Sequence, residues 1–390
     1  MASSKIILQT TGEQDKYLTT NPNHTHFKSS YRQYTQFGKD WISFGNNNKE
    51  DYIQPNSSYY YRIEKDGDLL NNIYIRLKVK RSSGNLDDEQ TALKIINSIE
   101  FLNNDQTITK MTSDFMFSYF ELNYTKAEKH SLASLISFKH AAVTEKDSNG
   151  DEIKYLYLPI PLWFHKDAGN AFPLWALNNP NVGINIKTDN YNSNTVLGID
   201  LLVDFGFLNT QEKEQFTNKS LEYLVEVPEM LENVSIAQST TSKKLNIVKT
   251  HYVRYLFWNI KDSTDKFNYI GDKISNANIS FNGNPLIANA PGSFYKDVMR
   301  YMNFESNGTL FNDNQTGTID KNNCSNIYTY SFSLNPVSKK LSGYFTTEKF
   351  DNVELEINFE GIDSNYELSV YLVKHNIIRI SDGVLNILYN

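Results

Sequence analysis

Residues Tyr155 to Ile186 read YLYLPIPLWFHKDAGNAFPLWALNNPNVGINI, an apolar, aromatic stretch punctuated by prolines. The run Tyr155–Phe164 predicts a strand buried on at least one face. Proline cannot donate to a β-ladder, so Pro159 and Pro161 confine that strand to an edge or a bulge and exclude a helix. The following loop, from Phe164 to Asn181, carries Phe172, Leu174, Trp175 and Leu177 and is too apolar for a solvated surface loop. No catalytic constellation accompanies it, and His165-Lys166-Asp167 is read as a loop entry, without a nucleophile elbow or a paired-carboxylate motif.

The rest of the chain extends this β reading. It has 390 residues, which exceeds an ordinary single core and predicts two domains of similar size. Aromatic residues make up 13%, with 25 Tyr and 23 Phe, which favours strands joined by turns. Tyr59–Ile63 is read as a strand that turns at Lys65–Asp68 and resumes at Ile73, where Ile73, Ile75, Leu77 and Val79 alternate with Arg76, Lys78 and Lys80. Ile95–Phe101 and Val196–Phe207 are further strands, and the first alternating strand is placed near Tyr31. Ser113–Phe120 reads as the start of a short capped helix.

Order-preserving internal similarity supports a tandem of two like-folded domains. Ile99-Glu-Phe101 matches Ile279-Ser-Phe281, Asp114–Tyr119 matches Ser293–Val298, and Tyr155-Leu-Tyr157 matches Tyr328-Thr-Tyr330. Asn181–Ile186 matches Asn352–Ile357, and Leu201–Val203 matches Val370–Leu372. The offsets stay at roughly 170–180 residues, the scale of one large β-sandwich. The expected organisation is an N-terminal arm over 1–25, a first sandwich over 26–207, a connector over 208–220 and a second sandwich over 221–390. Asn209–Phe216 suits one or two helical turns, and so short a connector implies rigid side-by-side packing.

Charge and chemistry point away from several function classes. A net charge of −7, with basic residues only in pairs or triads, argues against direct nucleic-acid binding. No run of about 18 apolar residues predicts a membrane span, and Ile6–Leu8 is too short for a signal-peptide core. The lone Cys324 excludes an intramolecular disulfide framework and fits synthesis in a reducing compartment. Asn-x-Ser/Thr triplets such as Asn56–Ser58 are what an Asn-rich chain yields by chance.

His24 and His26 share a face of an extended segment but have no evident third ligand. Asp147–Glu152 has its glycine at the wrong place for a calcium loop and reads as a solvated hairpin loop. Neither a Walker loop nor a Gly-x-Gly-x-x-Gly element occurs. No metal, cofactor or catalytic residue is expected. Trp41, Trp163 and Trp258 are assigned to strands and cores, and Trp175 to an interface.

Leu-Pro-x-Pro-Leu-Trp-Phe at 158–164, followed by Gly169-Asn-Ala171-Phe-Pro173-Leu-Trp-Ala176-Leu177, resembles the double jelly-roll major capsid proteins of nucleocytoplasmic large DNA viruses and related phycodnavirus- or iridovirus-like viruses. So does the opening segment Gly12–Pro22 with Thr25–Lys28 and Tyr31-Arg32. Further similarity runs through 216–223, 292–295, 328–334 and 373–383.

The resemblance implies an all-β fold of two tandem eight-stranded antiparallel jelly rolls with short helical turns in loops. It also implies a non-enzymatic structural role: homotrimeric, pseudo-hexagonal capsomers tiling an icosahedral shell, assembled in the host cytoplasm and residing in the virion capsid. The implied partners are copies of itself, neighbouring capsomers, and penton and minor capsid proteins, without membrane insertion. Trp163, Phe164, Phe172, Leu174, Trp175 and Leu177 are then candidates for trimer or inter-domain packing. Gln14, Asp15, Tyr17 and Leu18 are candidates for arm contacts. Two alternatives are a minor capsid or receptor- and glycan-binding tandem sandwich and, less supported, a β-sandwich carbohydrate-active enzyme.

Overall fold

The computed structural model describes residues 5–6, 9–10, 12–45, 53–80, 91–138, 141–146, 148, 150–178, 180–191, 196–217, 220–247, 250–262, 267–287, 289–305 and 326–389. Two units emerge, Met1–Gln36 and Phe37–Asn390. In the first, a single helical turn spans Lys16–Thr19, and the Asp15 carboxylate accepts the Gly12 N–H at 2.9 Å. Its large apolar side chains, Tyr17, Leu18, Phe27, Tyr31 and Tyr34, are exposed.

The second unit opens with ten strands: β1 (Phe37–Gly45), β2 (Ser58–Ile63), β3 (Leu69–Lys80), β4 (Ile96–Asn103), β5 (Gln106–Thr112), β6 (Val143–Lys146), β7 (Glu152–Pro159), β8 (Phe172–Pro173), β9 (Val182–Thr188) and β10 (Val196–Leu208). They form two antiparallel sheets, one ordered β1-β10-β3-β7-β6 with β8 beside β3, the other β2-β9-β4-β5. Strand β3 shows why they face each other. Ile73, Ile75, Leu77 and Val79 are fully buried while the residues between them are half-exposed, the period-2 signature of a sheet with one wet face. Each such aliphatic side chain contributes roughly 1.5–3 kcal/mol on burial.

After a helix at Thr210–Thr217 the pattern repeats. Ten more strands follow: β11 (Leu221–Ile236), β12 (Ser242–Asn246), β13 (Val253–Asp262), β14 (Ile274–Phe281), β15 (Asn284–Pro285), β16 (Ala290–Pro291), β17 (Ile327–Ser331), β18 (Val353–Phe359), β19 (Tyr366–Ser381) and β20 (Val384–Ile387). The sheets run β11-β19-β13-β17 and β12-β18-β14-β15. Strand by strand this is the order of the first pair, β1-β10-β3-β7 and β2-β9-β4-β5, so both sandwiches are jelly rolls of one topology. The internal matches noted in the sequence fall on equivalent elements: β4 with β14, β7 with β17, β9 with β18, β10 with β19, and one helix with another.

Two-residue turns fix the register of three hairpins. Asn104-Asp105 joins β4 to β5, Asn282-Gly283 joins β14 to β15, and Asp382-Gly383 joins β19 to β20. All six residues have φ between 49° and 79°, the double left-handed geometry of a type I′ turn.

Several expectations need correction. The strand that starts near Tyr155 ends at Pro159, so Pro161, Trp163 and Phe164 lie beyond it; Trp163 and Phe164 form a turn. Pro159 sits where β7 has β3 on one side only, because β6 pairs no further than Lys154. The first strand begins at Phe37 rather than near Tyr31. Ser58–Ile63 and Leu69–Lys80 are not a hairpin: the chain between them crosses from one sheet to the other. Gly67 in that crossing lies so close to the Phe205 ring that a Cβ would meet it at 2.6 Å. Cys324 lies outside the described residues.

Candidate functional site

Two broad sheet faces decide what this fold can do: the outer face of β11-β19-β13-β17 and its counterpart on β1-β10-β3-β7. In the second roll, Leu256, Trp258, Ile260, Leu368, Val370 and Leu372 point into that roll's own core. The alternate residues Tyr255, Phe257, Tyr371 and Val373 point the other way, yet they too are buried, because the first roll covers them.

The cover is the helix Ser113–Asn123, which follows β5. Thr112 caps it by accepting the Phe115 N–H at 3.2 Å, and Phe115 lands between Phe257 and Tyr371 at ring distances of 5.8 and 5.7 Å. Strand β5 lies alongside β11.

A buried polar cluster pins this contact. Asp114 accepts the Tyr269 hydroxyl at 2.6 Å on one oxygen and the Tyr371 hydroxyl at 2.7 Å on the other, with the Lys261 ammonium 3.4 Å away. Burial, and then the adjacent Asp114 charge, raise both tyrosines well above their ordinary pKa, so they remain donors. Asn259 donates to the Ser118 hydroxyl, which lies 2.9 Å from that of Tyr269.

Nearby, the buried Lys129 donates to the Glu121 carbonyl and carboxylate at 2.7 and 3.2 Å, and Arg300 of the second roll donates to the same carbonyl at 3.3 Å. Paired charges in a buried interface resist sliding, because any displacement strands them without partners. The two rolls are therefore held as one body.

On the matching face of the first roll the helix Lys126–Ile136 lies over the β3-β7 side, while the β1 side stays exposed at Trp41. Trp41 on β1 is 53% exposed, a correction to its core assignment: Ile42 and Phe44 take the inward positions and leave Trp41 outside. Its ring lies 5.8 Å from Tyr74 of β3, which in turn lies 5.8 Å from the His165 ring. Beside them, under the helix Lys126–Ile136, is a depression of about 230 Å³ lined by Tyr74, Tyr124, Leu132, Leu135, Pro159 and His165. The Tyr124 hydroxyl and both His165 nitrogens are buried and have no hydrogen-bond partner among the described residues. Burial, then the cations Lys339 and Lys166, lower the His165 pKa to about 3, so the ring is neutral.

Of the packing candidates read from the sequence, Trp163, Phe164, Phe172, Leu174 and Leu177 are buried inside the chain, the first three around Phe101. The loop touches the second roll through its backbone: Lys339 donates to the Trp163 and His165 carbonyls, and the Asn178 N–H donates to the Gly383 carbonyl at 2.9 Å. Trp175 stays 42% exposed between two ammonium groups, Lys65 at 5.0 Å and Lys213 at 4.7 Å from its ring.

Gln14, Asp15, Tyr17 and Leu18 sit together around the Lys16–Thr19 turn, all exposed. His24 and His26 meet edge to face at 4.7 Å, and among the described residues no group of three metal-ligating side chains converges. Sequence reasoning missed Asp114 and the outward position of Trp41. The second was readable from the alternation in Trp41-Ile42-Ser43-Phe44.

Two rolls of identical strand order, joined by a buried, hydrogen-bonded interface, define a double jelly-roll protein. The chain belongs to the major capsid protein family: the family described as Major capsid protein N-terminus matches residues 25–222. It is 26% identical to the major capsid protein of Pyramimonas orientalis virus, over 97% of each chain. It is 22% identical to that of Paramecium bursaria Chlorella virus 1, over the whole of both.

Among solved structures, a chain of the capsid of that Chlorella virus superposes with a TM-score of 0.77 at 20% identity, covering 94% of this chain and 100% of the other. The Faustovirus major capsid protein superposes at 0.70 with 10% identity, covering 95% of each. The protein is thus a structural component of a large DNA virus capsid.

Proposed function

We propose that three copies of this chain form a pseudo-hexagonal capsomer and that such capsomers tile an icosahedral shell. The observation that carries this reading is the equivalence of the two rolls within one rigid body. Each chain then supplies two similar walls, so three chains offer six and occupy a six-fold lattice site. Five-fold vertices fall to a separate penton protein.

Residues 1–25 act as an arm that contacts minor capsid proteins, 26–207 and 221–390 are the two wall units, and 208–220 is the connector. Assembly takes place in the host cytoplasm, the chain has no enzymatic role, and its net negative charge leaves genome contact to other proteins.

Sedimentation and electron microscopy of purified protein test this. The expected species is three copies of the 45.0 kDa chain, with a six-sided outline. A stable monomer with saturable glycan binding would instead support a receptor-binding tandem sandwich.

A further inference from the structure

We infer that Lys261 and Asp114 condense into an amide after folding, so that a side-chain isopeptide bond joins the two rolls. The bond lies within one chain and is independent of how copies assemble.

Proximity is the first condition. The Lys261 Nζ lies 3.4 Å from the Asp114 Oδ2, although the two residues stand 147 apart in sequence. Both are buried, one held by β13 and the other by the helix Ser113–Asn123. An amine fixed against a carboxyl group reacts as if at roughly 10⁵ M or more. Burial also limits the water available to reverse the condensation.

Three neighbouring side chains supply the rest of the chemistry. The Tyr269 and Tyr371 hydroxyls donate to the two Asp114 oxygens at 2.6 and 2.7 Å, which places a donor where negative charge develops as the nitrogen attacks. Glu367 Oε2 lies 3.4 Å from the same nitrogen, and its side chain is 41% exposed, so it serves as the proton carrier.

The step balances without a co-reactant. A proton passes from the Lys261 ammonium to the Asp114 carboxylate, leaving a neutral amine and a neutral acid. The Nζ lone pair attacks Cγ and the Nζ–Cγ bond forms. Glu367 takes a second proton from the nitrogen and delivers it to the departing hydroxyl, so the Cγ–O bond breaks and one water leaves. Nothing is oxidised or reduced. A neutral amide then replaces two buried charges and removes the cost of keeping them from solvent.

Mass spectrometry of the purified full chain tests this. The denatured wild-type protein is expected to be lighter than its sequence by one water, and a protease digest to contain the Asp114 and Lys261 peptides joined. A succinimide at Asp66-Gly67 or Asp382-Gly383 loses the same mass but joins no peptides, so the digest separates the two. Lys261→Arg keeps a cation beside Asp114 and is expected to keep the full mass. Asp114→Asn is expected to form the same amide with loss of one ammonia. Glu367→Gln is expected to slow cross-linking during refolding by on the order of 100-fold.

Folded wild-type protein that retains its full mass and yields the two peptides separately overturns the bond and leaves an ion pair. Joined peptides that form equally fast in Glu367→Gln overturn the part assigned to that carboxylate.

Discussion

The outer face of β11-β19-β13-β17 and that of β1-β10-β3-β7 belong to the same topology but meet different surroundings. In the second roll Tyr255, Phe257 and Tyr371 are buried beneath a helix of the first; in the first roll Trp41 remains in solvent. A repeated fold thus does not repeat its environment. The helix-on-sheet contact that covers the second roll's face is made within the chain, by the helix Ser113–Asn123.

The sharpest way to break this contrast is at Asp114. Asp114→Ala leaves the buried Lys261 with one carboxylate fewer and the Tyr269 and Tyr371 hydroxyls without their acceptor, and is expected to cost about 3–5 kcal/mol in urea unfolding. A loss under about 1 kcal/mol would mean that the polar cluster does not hold the rolls together.

Next comes Phe257→Ala, which empties a ring site between the rolls and is expected to cost about 3–5 kcal/mol. Trp41→Ala, at an exposed position, is expected to change the stability of the single chain by no more than about 0.5 kcal/mol. Equal effects would erase the asymmetry between the two faces.

Acid should act on both rolls alike. His165 in the first and His375 in the second are each lowered to about 3, chiefly by burial and then by nearby cations, Arg254 in the case of His375. Unfolded, each titrates near pH 6.5, so between pH 6.5 and 3 the unfolded chain binds more protons than the folded one. Stability therefore falls on acidification through that window, by up to about 1.4 kcal/mol per pH unit for each histidine. His165→Gln should flatten the profile, and an unchanged pH slope in that variant would contradict the burial argument.

A smaller effect concerns one roll alone. Thr125 and Glu128 form a reciprocal capping box at the start of Lys126–Ile136, and Thr125→Ala should cost about 1 kcal/mol. The smallest concerns the paired turns. Asp105 occupies a left-handed position where the second roll has Gly283, so Asp105→Gly should raise the unfolding free energy from urea titration by about 0.5–1 kcal/mol, while Gly283→Ala should lower it.

The sequence made the β class and the tandem visible because alternation and repeat order are local signals. Ile73 to Val79 states its own burial, and matching segments such as Ile99–Phe101 and Ile279–Phe281 lie on equivalent strands. The helix Lys126–Ile136 was equally legible, through Thr125-x-x-Glu128 and the spacing of Leu132, Ala133 and Ile136, but went unread. What no local pattern conveys is which wet-looking face another roll covers. Phe257 and Trp41 both sit on alternating strands, and only contacts from more than a hundred residues away distinguish them. Trp163 and Phe164 were misplaced in a strand for the converse reason: an apolar run fits a buried turn as well as a ladder.

The partners of Asp114 also set a timetable. Tyr371 lies 257 residues further along the chain, so a ribosome needs on the order of 10–50 s to deliver it after Asp114. From the completion of β10 at Leu208 until Tyr371 is made, the aromatic side of the helix Ser113–Asn123 is expected to face water. The lock that makes the mature subunit rigid is therefore a period of exposure during synthesis, when binding by host chaperones would favour a productive subunit over an aggregate.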